Sequence, residues 1–134
     1  MLNFFPELLP FGLISATIIR IVVGSVLFYF GILSISTKKE IVSERLNNFK
    51  YPAPKFFTFL ISIIGIITGS FLIAGFATQI VAIIAIYLFL NLIFIDSGEK
   101  NIFGQTKLFY ISMILISITL IFSGAGFWAI DLPL

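Results

Sequence analysis

Four apolar runs, separated by polar or turn-forming intervals, organise this chain. They cover about Gly12–Ile35, Phe56–Gly75, Thr78–Ile95 and Leu108–Phe127, each close to the roughly 20 residues that carry a helix across a hydrocarbon core. No run alternates apolar and polar residues as a half-buried strand would, and backbone groups in lipid must be satisfied within their own segment, so the runs predict helices. The expected fold is all-α, an integral membrane four-helix bundle forming one transmembrane domain over residues 1–134.

The three intervals differ. The first, about Ser36–Lys55, carries Lys38, Lys39, Glu40, Glu44, Arg45, Lys50 and Lys55 and ends in Tyr51-Pro52-Ala53-Pro54, which blocks a helix until Pro54 is passed. Within it Ile41, Val42, Leu46 and Phe49 fit one apolar side of a short interfacial helix; a solvated loop fits equally well. The second, Gly75-Phe76-Ala77-Thr78, is a bare turn that makes the middle helices antiparallel neighbours. The third holds Asp96, Glu99, Lys100 and Lys107, with Gly98 and Gly104 as turn residues.

Seven of the eight basic residues lie in the first and third intervals, which an even number of crossings puts on the same side of the membrane. The positive-inside rule makes that side cytoplasmic. A multi-pass protein of the cell membrane follows, with both termini non-cytoplasmic. The opening MLNFFPELLP has no basic n-region and leads into an apolar run too long for a cleavable signal, so the first helix is expected to stay.

Composition narrows the chemistry. Hydrophobic residues make up 60% and charged residues 10%, against about a quarter charged in soluble domains. A net charge of +2, concentrated in one loop, leaves no nucleic-acid footprint. Without cysteine or histidine there is no disulfide, no thiol redox pair and no usual ligand for haem or a transition metal, so no metal and no cofactor are expected.

Inside the runs a few polar residues stand out. Arg20 is the clear intramembrane charge, and a guanidinium there needs a partner or a wet route out. Gly24 and Gly31 follow on its face, with Ser34 a turn beyond. One reading has Arg20 reaching toward the nearer interface to pair with Asp131, beyond the fourth run, with the small residues serving helix packing. The other is a polar binding pocket of Arg20, Tyr29, Tyr87 and Asn91. Gly65 and Gly69 form a GxxxG pair that lets backbones approach closely, within the bundle or at a dimer face. Tyr87 with Asn91, and the stripe Ser112, Thr119 and Ser123, fit hydrogen bonds between helices. Tyr29, Tyr87 and Tyr110 with seventeen phenylalanines fit either an apolar pocket for a flat lipid-soluble molecule or a lipid-facing surface. Trp128 suits the interfacial aromatic belt.

Several stretches in order resemble the DoxX family of small four-helix bacterial and archaeal membrane proteins. Ile19-Arg20 through Gly24 to Leu27-Phe28-Tyr29-Phe30-Gly31 is similar to the family's Leu-Arg start and Tyr-His-Gly end of its first helix. Tyr51-Pro52-Ala53-Pro54 and Gly69 through Gly75-Phe76-Ala77-Thr78 follow, where the family has a double glycine, aliphatics and Gly-Leu-x-Thr-Arg. Gly124-Ala125-Gly126-Phe127-Trp128-Ala129-Ile130-Asp131 resembles its Gly-Pro-Gly-Arg-aromatic-Ser-Leu-Asp tail. This chain has Phe30 where the family often has His, Gly65 where it often has Glu, and Gln79 where it has Arg. The resemblance implies a membrane component around quinone-linked redox metabolism, such as thiosulfate oxidation, or a partner of redox enzymes.

The first functional reading is therefore a non-catalytic membrane subunit, touching the bilayer and a redox enzyme or other membrane subunit, with homo-oligomers compatible. The alternatives are a quinone-binding oxidoreductase component and a small-solute transporter; the lack of an inverted repeat or of a Gly/Pro-broken helix counts against transport. No set of residues forms a recognisable catalytic site.

Overall fold

The computed structural model describes residues 9–97 and 102–123, with side chains from residue 14 onward. These described residues form five helices: α1 (Leu9–Ile35), α2 (Lys39–Asn48), α3 (Pro54–Ala74), α4 (Thr78–Asp96) and α5 (Lys107–Ser123). The expectation of four is corrected by α2, which settles the first interval as helix over ten residues. Its weak apolar periodicity, diluted by charge, is why the sequence left a loop open. Among the described residues, three helices are long and apolar enough to cross a membrane: α1 over Ile14–Ile35, α3 and α4; α5 is a shorter apolar helix. The last residues expected of the fourth run, beyond Ser123, lie outside the described residues, as do Trp128 and Asp131.

Local chemistry sets the boundaries. Pro54 opens α3 at a position where a missing N–H costs nothing, and Ala53 ahead of it has a left-handed φ of 53°. At the other end, Gly75 takes φ 74°, and its N–H and that of Phe76 turn back to the carbonyls of Leu72 and Phe71. This is a Schellman close, sealed by the rings of Phe71 and Phe76 at 5.6 Å. The chain then re-enters helix at Thr78, so α3 and α4 form a tight antiparallel pair.

α1 packs against α3 and α5, and α4 packs against α3 and α5, closing a ring. Its centre is Val23, Leu27, Phe30, Leu72, Ala82, Ala85, Leu88, Phe89, Tyr110, Met113 and Leu120. A second cluster of Val42, Leu46, Ile95 and Ile102, flanked by Phe57 and Phe103, seats α2 under the loop end of the bundle. The outer faces are apolar as well: Ile18, Ile80, Phe94, Leu108 and Phe122 are all more than half exposed. A belt of this extent is covered by lipid. The chain is a membrane protein whose helices contact the bilayer.

Several polar side chains on the helices are answered within their own helix. Ser62 donates to the Thr58 carbonyl, Ser117 to Met113 and Ser112 to Leu108, while Thr119 donates to Ile116 and Asn91 to Tyr87. The interhelical bonds expected of Asn91, Ser112 and Thr119 are thus replaced by bonds within their own helices, because a carbonyl one turn back is always in reach. Among the described residues, side-chain bonds that cross between helices include Gln79 to the Ile121 carbonyl at 3.3 Å and the Tyr110 hydroxyl to Asp96 at 2.8 Å.

Candidate functional site

The residues singled out in the sequence fall in different places. Arg20 is buried, 1% exposed, and engaged by neighbouring groups. Tyr29 and Tyr87 instead face outward at 61% and 65% exposure. Nine residues separate Arg20 from Tyr29 on α1, about 13 Å of rise, so these two side chains do not share a pocket. Tyr87 sits mid-helix on the outer face of α4, and Asn91 is spent in part on its carbonyl at 2.8 Å. Asp131, the proposed partner of Arg20, lies outside the described residues.

The glycines run along the α1–α3 contact. A Cβ on Gly24 would stand 2.8 Å from the Gly69 carbonyl oxygen, and one on Gly69 would stand 2.6 Å from that of Gly24. Gly31 is closed by Ile66 at 2.7 Å and the Ser62 carbonyl at 2.9 Å, whereas Gly65 has its nearest neighbours, Gly31 and Leu27, at 3.7 Å. These pairings make α1 and α3 antiparallel and put Arg20, one turn before Gly24, at about the level where α3 ends. The guanidinium therefore lies near the tight-turn edge of the bundle. Thr78, opening α4 at that end, is 1% exposed, and its Oγ1 has no hydrogen-bond partner.

Toward the loop end, α1, α3 and α4 leave a crevice lined by Leu27, Phe30, Gly31, Ser34, Ile61, Ser62, Gly65, Leu88 and Leu92. It includes both Phe30 and Gly65, the two positions where the resemblance places His and Glu, so the fold brings them to one place. Here a phenyl ring and a hydrogen atom stand there instead. The crevice encloses about 20 Å³, room for one water, and an engineered cavity that takes up benzene is nearer 150 Å³. None of Arg20, Tyr29, Tyr87 or Asn91 lines it.

Behind Phe30 lies a group that the sequence reading placed only as a loop charge. Asp96 ends α4 and is 5% exposed. One carboxylate oxygen accepts the N–H of Ile102 and, at 3.2 Å, that of Phe103, and the other accepts the Tyr110 hydroxyl at 2.8 Å. The ring of Phe30 packs on Phe103 at 5.1 Å, Tyr110 at 6.0 Å and Phe109 at 6.2 Å. The carboxylate thus ties the α4–α5 connection to α5, with an aromatic cluster closing over it. A signal existed: an acid in the last turn opposes the helix dipole, so a buried one there requires amide donors, and the apolar pair Ile102-Phe103 six residues on supplies them.

Among the described residues, the buried side chains that carry a formal charge are thus Arg20 and Asp96, the latter bonded to the buried Tyr110 hydroxyl. No group of three or more metal-ligating side chains occurs among the described residues. The DoxX family model matches residues 15–98, from α1 to just past the end of α4. No curated protein and no solved structure matches the chain.

Proposed function

The chain belongs to the DoxX family, and from that premise we propose that it is a non-catalytic membrane subunit that serves a quinone-linked redox enzyme. The crevice carries this reading. Where the family resemblance puts an imidazole and a carboxyl, Phe30 and Gly65 supply hydrocarbon and open space. A proton passing along Asp96 and Tyr110 would meet the Phe30 ring as its next neighbour on α1. The Asp96 carboxylate is itself committed to three donors, which favours an anchoring role over acid–base work. In this reading α5 belongs to the fourth crossing, the α2 side faces the cytoplasm and is the docking surface, and the protein resides in the cell membrane.

The test is gentle solubilisation of native membranes, followed by protein identification and lipid extraction on the purified complex. The expected result is a stoichiometric oxidoreductase whose quinone-reducing activity copurifies with the chain and is lost from the chain alone. A stoichiometric quinone on the isolated chain, with turnover, would overturn the proposal in favour of a quinone-binding enzyme component.

A further inference from the structure

We infer that α2 and the segment after it, 49–56, form an interfacial device that recognises anionic phospholipid headgroups. The inference does not depend on the partner role.

Two connections hold α2 at the surface of the bilayer. Residues 36–38 join it to the end of α1, and residues 49–53 join it to α3, whose first turn is already the start of a membrane-crossing helix. Its inner face is fixed by Val42, Ser43 and Leu46, all buried. The remaining surface is divided by the helical period. Ile41, Arg45 and Phe49 follow at spacings of four and share one side, and Glu40 and Glu44 share another. Ile41 is 45% exposed and Phe49 53%, and the chain leaving α2 adds Tyr51 at 44% and Phe56 at 61%.

Apolar and aromatic side chains exposed around a membrane-entry helix suit the boundary between headgroups and acyl chains. The charges beside them complete the match. Lys39, Lys50 and Lys55 are exposed, and the segment 38–55 holds five basic residues against two acidic ones. Lys50, which lies between Phe49 and Tyr51 in the chain, takes a left-handed φ of 57° just past the C-cap of α2. Lys55 lies in the first turn of α3 beside Phe56, at the depth where that helix enters hydrocarbon and where phosphates stand. Exposed ammonium groups at both ends of α2 and at the start of α3, in the same segment as exposed aromatics, fit a surface of negative headgroups, to which juxtamembrane lysines are attracted.

The experiment compares the full chain in nanodiscs of phosphatidylcholine with nanodiscs containing phosphatidylglycerol of the same acyl chains. The melting midpoint should be higher in the anionic discs by about 4 °C or more, the scale of a modest stabilisation of a small domain. High salt should shrink the gap, because these charges are solvent-exposed. The triple variant Lys39→Gln, Lys50→Gln, Lys55→Gln should lose most of the gap while melting normally in phosphatidylcholine, and Lys107→Gln on α5 should retain it. Equal melting of the unaltered chain in both lipids would overturn the inference, as would a gap that survives high salt. An equal rise from inorganic phosphate in phosphatidylcholine discs would assign the site to a free anion and overturn the lipid reading. Should the triple variant fail to fold, the salt titration of the unaltered chain decides alone.

Discussion

Asp96 shows how much one side chain can organise in a protein with little polar surface. Its position in the last turn of α4 is unfavourable by about 0.3–1 kcal/mol against the helix dipole. Hydrogen bonds to a charged group contribute about 1.5–3 kcal/mol each, and Asp96 accepts three, so the bonds outweigh the dipole. The consequence is an ordered hierarchy of variants. Tyr110→Phe removes one bond and should cost about 1.5–3 kcal/mol, while Asp96→Leu strands two amides and a hydroxyl and should cost more, about 1–3 kcal/mol per unanswered donor. Thermal melting in detergent measures both. Asp96→Leu melting no lower than Tyr110→Phe would show that water satisfies the loop amides and that the carboxylate is dispensable.

At the scale of elements, the glycines of α1 and α3 are not equivalent. Gly24 and Gly69 face one another so closely that a methyl on either meets a carbonyl oxygen, at 2.8 Å and 2.6 Å. Backbone must then move, and overpacking of this kind costs about 1–3 kcal/mol. A Cβ on Gly65 would meet its nearest neighbours at 3.7 Å, an ordinary van der Waals contact, and alanine is favoured over glycine inside a helix by up to about 1 kcal/mol. Gly69→Ala and Gly24→Ala should therefore lower the melting midpoint, and Gly65→Ala should leave it unchanged or raise it. Similar losses for all three would mean that α1 and α3 meet along the whole GxxxG face. The motif alone does not separate the two glycines; that distinction comes from the register of α1 against α3.

The whole molecule turns an apolar surface outward and keeps its charges at the ends, Arg20 toward the tight turn and the remaining described charges toward α2 and the α4–α5 connection. The side carrying α2 is expected to face the cytoplasm, since the basic residues gather there. The cysteine-free sequence makes this simple to check with single cysteines and a membrane-impermeant thiol reagent in intact cells. A cysteine at Leu134 should be labelled and one at Ser97 protected. The opposite pattern reverses the orientation.

The class of molecule follows from the linear chain alone. Hydropathy is a one-dimensional property, and runs long enough to cross lipid admit no structure but helix, so α1, α3 and α4 and the turn at Gly75 were legible, together with the family likeness. Less visible was α2, because Val42 and Leu46 become a core only when Ile95, Ile102 and Phe57 are brought beneath them. The same holds for the site. Tyr29 and Tyr87 look like pocket residues until helix rotation turns them to lipid, and Asp96 looks like a loop charge until the return of α5 sets Tyr110 against it. Which face of an all-apolar helix points inward is not written in its hydropathy, since lipid and core are equally apolar solvents. Close packing between helices decides it, and that is why Phe30 and Gly65, 35 positions apart in the chain, meet in one crevice only in three dimensions.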